Sequence, residues 1–269
     1  MRFTKLRFNG LTVVDLPIIG AKPTDTYICL NVDGLGPPEV DVSIADTLNA
    51  GGFYQGRRPQ SRTLIALIGL NPDYTAGEVP ADLRTSLYGM LTPGVSDNIL
   101  VQIMDDEVVL ASTTGYISKM EINPFSKDPQ VQITIPCLEQ YLQGTDDLFV
   151  DPGDKDTPAI TNLGTAPAGF RMEVVFTVDH LSLWRLSDIS GKKMELNYEF
   201  LADDILTIDT RPSHRGVWVT RGGVTTNIIW AVTPDSEWYM LHGGVNTFIT
   251  SSNGFNWGDV FYRPQFWGI

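Results

Sequence analysis

Three histidines, two cysteines and one run of acidic residues are where this chain could hold a metal or an acid–base pair. His180, His214 and His242 lie too far apart for two imidazoles to share one helix or strand face, and Cys29 and Cys137 have no CxxC partner. That spacing argues against a zinc site. Asp151-Pro152-Gly153-Asp154-Lys155-Asp156 places three carboxylates in six residues and invites a calcium reading. It lacks the sixth-position Gly and the distant Glu of an EF-hand loop, so it reads as a solvated acidic loop. There is no G-x-S-x-G elbow for a serine nucleophile. Gly34-Leu35-Gly36 runs into Pro37-Pro38 and not into a helix, so it reads as a turn and not as a phosphate cradle. Asp203, Asp204, Asp209 and Glu237 are the acids available to a glycosidase. In an extended segment Asp203 and Asp204 point to opposite faces and cannot flank one bond, and Asp204 before Ile205-Leu206 reads as the end of a turn. The residues therefore imply neither a cofactor nor a catalytic centre.

Rings are the other chemistry on offer. Trp238, Tyr239, Trp257, Tyr262, Phe266 and Trp267 form the densest aromatic set. Trp238, Trp257 and Tyr262 could serve as stacking platforms for a sugar, whereas alternation along strands sends about half of such rings into a core.

The elements that must carry these residues are strands. Gly 25, Pro 17 and 10% aromatics suit short strands joined by tight turns, and 42% hydrophobic residues supply a core. The formal charge of −13, with no dense Lys/Arg run, excludes a general nucleic-acid binder and a basic membrane-surface segment. No apolar run is long enough to span a bilayer, and Asp15 and Pro17 interrupt the only apolar stretch near the start, so a soluble, cytoplasmically made product is expected. Two cysteines among apolar neighbours read as buried thiols.

Period-two alternation marks Ile28-Leu30-Val32, Val40-Val42-Ile44, Tyr116-Ser118-Met120-Ile122 and Val131-Ile133-Ile135 as strands of a sandwich. Thr63 to Leu70 is apolar on both faces, which calls for a cover on each side. Leu83, Leu87, Met90 and Leu91 fall at helical spacing after Pro80 and Asp82 and before Pro93-Gly94, predicting one short amphipathic helix. The Pro/Gly/Asp-rich stretch from Tyr141 to Phe170 reads as a junction and surface loop, with the domain boundary near residue 138. Alternation resumes in Met172-Val174-Phe176-Val178, Met194-Leu196-Tyr198, Val217 to Val219, Ile228 to Val232 and the closing WGDVFYRPQFWGI. Hairpin turns are expected at Ser190-Gly191 and Arg221-Gly222-Gly223. The expected fold is all-β, with two β-sandwich domains at 1–138 and 139–269.

The order of motifs resembles one family. LTIDTRP (Leu206 to Pro212), WAVTPDSEWYMLHGGVNTF (Trp230 to Phe248) and VFYRPQFWGI (Val260 to Ile269) resemble the end of siphophage distal tail proteins. GFYQGRRPQSRTLIALIGL (Gly52 to Leu70) and GYISKMEINPFSKDPQVQITIPCLEQYL (Gly115 to Leu142) resemble that family's N-terminal half. The resemblance implies a ring-forming N-terminal sandwich and a galectin-like C-terminal sandwich, with no catalytic residues. It implies a homo-hexamer in the virion tail, assembled in the bacterial host cytoplasm. The ring's partners would be the tail tube protein, the tail-tip hub protein and a receptor-binding protein or tail fibre, with the genome passing through its lumen. An acidic chain suits a lumen that should not hold phosphate. Subunit contacts are expected at Arg57 and Arg58, whose guanidinium groups suit carboxylates, and at Leu64 and Leu67 in the two-sided apolar strand. The rival is a carbohydrate-binding module or host-glycan adsorption protein that uses Trp238, Trp257 and Tyr262.

Overall fold

Alternating apolar residues close around two separate cores, one in each compact unit of the chain. The computed structural model describes residues 3–10, 12–22, 24–46, 52–91, 98–122, 129–151, 158–179, 183–188, 191–250 and 254–269. The first unit is Met1–Thr145 together with Phe266–Ile269, and the second is Asp146–Gln265. Residues 139–145 thus remain with the first unit, because β11 in that segment pairs with a strand of the first unit. No described helix is long and apolar enough to cross a membrane.

Among the described residues, eleven strands and one helix build the first unit. They are β1 (Lys5–Asn9), β2 (Val13–Pro17), β3 (Tyr27–Asp33), β4 (Val40–Asp46), β5 (Gly52–Pro59), β6 (Thr63–Leu70), α1 (Pro80–Met90), β7 (Ile99–Asp105), β8 (Val108–Gly115), β9 (Lys119–Ile122), β10 (Gln130–Pro136) and β11 (Leu142–Gln143). One sheet runs β2-β1-β7-β8-β11, and the other runs β3-β6-β10-β9. Their inner faces carry Leu6 and Phe8, Val101 and Ile103, Leu64, Ala66 and Ile68, and Val131, Ile133 and Ile135, all buried. Each of these side chains larger than Ala66 contributes about 1.5–3 kcal/mol by leaving water. Helix α1 begins with Pro80 in its first turn and Asp82 near its positive end, and it sets Leu83, Leu87 and the following Leu91 into the same core.

Three alternating stretches depart from a regular sandwich strand. In β3 the register against β6 slips between Cys29 and Asn31, so Leu30 is the extra residue of a β-bulge. Cys29 is buried and Leu30 exposed, the reverse of the expected face. Around β9, Ile117 is the buried residue while Tyr116 and Ile122 are exposed, because β9 is a short edge strand paired only with β10. Among the described residues, strand β4 belongs to neither sandwich sheet and pairs with β5 alone.

The second unit contains β12 (Leu148–Val150), β13 (Ala159–Asn162), β14 (Phe170–Phe176), β15 (Trp184–Asp188), β16 (Lys193–Leu196), β17 (Ile205–Asp209), β18 (Gly216–Arg221), β19 (Val224–Asn227), β20 (Gly244–Thr250) and β21 (Phe255–Tyr262). A further pairing, β22 (Gln265–Phe266), leads into the last residues. The larger sheet runs β12-β21-β14-β17-β18-β19 and the smaller β13-β20-β15-β16. Met172, Val174, Phe176, Leu206, Ile208, Val217 and Val219 face one core with Trp184, Leu186, Met194 and Leu196. Gly222 and Gly223, both at positive φ, make the two-residue hairpin turn that joins β18 to β19. Ile228 to Val232 is not a strand, since Ile229–Ala231 coils into a 3-10 turn that leaves Trp230 71% exposed.

Candidate assembly surface

Strands β4 and β5 form a two-stranded ribbon, and such a ribbon is marginal in water without a cover. Its register sets Val40 opposite Pro59, Val42 opposite Arg57 and Ile44 opposite Tyr54, with a bulge between Ser43 and Ile44. Val40, Val42 and Ile44 alternate with Asp41 and Ser43, so they share one face of the ribbon. They are 41%, 54% and 61% exposed, and Tyr54 is 56% exposed. Alternation had correctly marked one face of β4 as apolar. It cannot say what covers that face, and among the described residues no second layer lies over it.

The expected contact residues divide. Arg58 is exposed and stands opposite Asp41, which accepts from Gln60 Nε2 at 2.6 Å. Arg57 lies in the ribbon at the Val42 position, and its side chain is outside the described set. Leu64 is 1% exposed and spent in the first unit's own core, so it offers no surface to a neighbour. Leu67 stands on the other face of β6, half-buried between Asn31 of β3 and Gln132 of β10.

The proposed stacking rings do not make one platform. Tyr262 is 1% exposed, donates its hydroxyl to the Thr161 carbonyl at 2.7 Å and receives the Leu163 N–H at 3.2 Å. It is a core residue with its polar tip satisfied. Trp257 packs edge-on to Phe255 at 5.3 Å, and Trp238 lies half-buried against the second core.

The ionisable groups are arranged for structure. Asp204 sits in a turn, as expected, and Asp203 beside it takes a φ of 69°. Burial pushes Asp204 up, yet the Arg221 fork and the Leu201 N–H outweigh it and hold the carboxyl below its ordinary range. Asp209 is paired with Arg211 at 2.6 Å. Glu237 is exposed beside Lys192. A cleft of 620 Å³ in the first unit is lined by Lys5, Asp15, Lys22, Asp25, Asp106 and Glu107. There the hydrogen bond from Arg7 holds Asp15 low, and that from Lys5 holds Glu107 low, so both stay ionised at neutral pH and suit a polar surface better than proton transfer. Burial pushes the Cys29 thiol up to about 11 and raises Cys137 as well, which keeps both unreactive. His214 is exposed on a turn and His242 in a separate loop, and His180 and most of the acidic run Asp151–Asp156 lie outside the described residues.

Comparison with known proteins agrees with the resemblance read from the motifs. Residues 163–266 match the family model of the siphovirus-type tail component, C-terminal domain. Among solved structures, the Dit protein of phage SPP1, described as a paradigm of the hub adsorption apparatus in phages infecting Gram-positive hosts, is similar with a TM-score of 0.65 at 14% identity. That likeness covers 97% of this chain and 99% of the other. A chain of the phage P2 baseplate in its activated conformation with calcium follows at a TM-score of 0.44 and 8% identity, covering 98% of each chain. No curated protein sequence is matched.

Proposed function

We infer that this chain is a siphophage distal tail protein and a non-enzymatic ring subunit at the tail tip, a reading supported by the tail-component domain matched in residues 163–266 and by the likeness of its fold to the Dit protein of phage SPP1. Its β4–β5 ribbon docks on a second copy of the first unit, and six copies close into a ring between the tail tube and the hub. The single observation that carries this is the exposed apolar row Val40, Val42 and Ile44 on a ribbon that no second layer covers among the described residues. Burying such a row on the next subunit removes it from water, and a head-to-tail contact closes when its rotation divides a full turn. Arg58 in the ribbon and the half-buried Leu67 on β6 remain available to a neighbour, whereas Leu64 does not. The ring's outer partners are the tube protein, the hub protein and a receptor-binding protein or fibre, on a galectin-like C-terminal sandwich. The virion tail is its location after assembly in the host cytoplasm.

Negative-stain electron microscopy and native mass spectrometry across a concentration series, with and without the tail tube protein, test this reading. Closed six-membered rings with a channel support it. Monomers at every concentration and in both settings refute it.

A further inference from the structure

The outer face of the larger sheet in the second unit is a groove, and its floor is built from residues that no comparison singles out. Because Val217 and Val219 turn inward, Trp218 and Thr220 turn outward. Register places Trp218 beside Thr207 on β17, and Thr207 beside Glu173 on β14, so three neighbouring strands present indole, hydroxyl and carboxylate in one row. The next row sets Thr220 against Thr225, their hydroxyls 2.9 Å apart. The row on the other side pairs Asp209 with Arg171 and, across the sheet, with Gly216. Gly216 is required there, since a Cβ at that position would collide with the indole of Trp218. The missing side chain lets the ring lie along the strand, where it is partly exposed and lines the groove.

The groove measures 360 Å³, within the range of about 300–1,000 Å³ for small-molecule sites. Its charges are matched internally. Arg171 donates to Glu173 at 2.7 Å, and Asp209 is held by Arg211 at 2.6 Å. An anion would find Arg171 Nη2 and Arg211 Nη2 already engaged by carboxylates and Arg171 Nε buried, and a purely apolar ligand would strip the hydroxyls of water without replacing their hydrogen bonds. What fits is a neutral ring with one C–H face for the indole and a rim of hydroxyls for Thr207, Thr220 and Glu173. Strand spacing of about 4.8 Å sets those groups one sugar-ring width apart.

We propose that this groove binds a neutral saccharide, with Trp218 stacking on the sugar ring and Glu173, Thr207 and Thr220 meeting its hydroxyls. This site lies within the second unit and does not depend on ring assembly. It replaces Trp238, Trp257 and Tyr262 as the place where sugar binding belongs.

The test is isothermal titration of the full chain with six neutral hexasaccharides built from glucose in α-1,4, β-1,4 and β-1,3 linkage, N-acetylglucosamine, mannose and galactose. Binding of one ligand per chain to at least one of them is expected, accompanied by a change in indole fluorescence. Trp218→Ala and Thr207→Val should each weaken it, the former by about tenfold or more, as loss of a central anchoring ring does. Thr207→Val leaves the indole in place and decides the matter if Trp218→Ala does not fold by circular dichroism. No saturable binding by any of the six, or binding that both variants retain, overturns the proposal. Either result leaves the ring reading to its own experiment.

Discussion

Arg62 donates from Nη2 to the carbonyl of Trp267, 205 residues further on, at 2.6 Å. Its Nη1 reaches the carbonyls of Gly34 and Gly36, the latter at 2.7 Å, so one guanidinium ties a turn to the end of the chain within the first unit. Gly34 holds a φ of 88° there, a left-handed conformation that presents its carbonyl to the arginine. Arg62 is buried with no carboxylate partner among the described residues, and burial lowers its pKa. Arg62→Met should destabilise the first unit by about 2–4 kcal/mol, because three carbonyls lose charged donors at once. Trp267 is the only tryptophan in that unit, so a fluorotryptophan resonance followed through urea reports on it directly. A midpoint unchanged from the parent would show that the guanidinium carries no stability.

The second unit should lose stability in acid through Asp204. Its folded pKa is held below the ordinary 3.8, as burial is outweighed by Arg221 at 2.6 Å and by the Leu201 N–H. Where the folded group is ionised and the unfolded group is not, the unfolded chain binds more protons, so stability rises with pH. The contribution is therefore present above about pH 4 and is lost as pH falls through the folded value. Asp204→Asn should cost about 1–3 kcal/mol at neutral pH, the half-exposed Arg221 limiting the loss, and should flatten the acid limb. Thermal melts from pH 2.5 to 7 check both, and an acid limb as steep in the variant as in the parent would exclude Asp204 as its source.

Gly216→Ala should disturb one ring selectively. The new methyl must displace the Trp218 indole, at a cost of about 1–3 kcal/mol for overpacking. A red shift in indole emission that is absent from Gly216→Ala in a Trp218→Phe background would assign the effect to that ring. Parent-like emission and stability would mean that the indole does not lie over the glycine.

Strands whose two faces see different solvents were legible in the sequence, and so was the helix. Val131, Ile133 and Ile135 are buried as their spacing requires, and Leu83, Leu87 and Leu91 meet the core from α1. What escaped depended on partners distant in the chain. The bulge at Leu30 is set by pairing with β6, and nothing local marks it. The apolar row of β4 is real, but which surface covers it is a tertiary fact. Rings close together in sequence drew attention to Trp257 and Tyr262, whereas the groove is assembled from β14, β17, β18 and β19. One signal for it was present, since inward Val217 and Val219 require an outward Trp218.

Tyr262 offers a clean separation of core from platform. Its ring is buried and its hydroxyl is satisfied by Thr161 and Leu163. Tyr262→Ala should cost about 3–5 kcal/mol, and Tyr262→Phe about 1 kcal/mol, the worth of a single net hydrogen bond. Denaturant titration of the two variants reads this ordering. Stability unaffected in Tyr262→Ala would return the ring to the surface.

The ribbon supplies the most discriminating prediction about assembly. Val42 and Ile44 are exposed in the single chain, so replacing them with Asp changes few contacts within it, and surface changes of this kind stay within about 0.5 kcal/mol. If the row is buried on a neighbour, the same substitutions place two carboxylates in an apolar contact without partners, which costs several kcal/mol per contact. The cost recurs at every interface of a closed ring, so the assembly should fall apart while the monomer stays folded. Val42→Asp with Ile44→Asp should therefore sediment as a monomer, with the melting temperature of the parent monomer, under conditions where the parent forms rings. A conservative Val42→Ile change, which keeps the row apolar, should leave ring formation intact. Rings formed by the double-Asp variant at parental concentration would remove the ribbon from the interface.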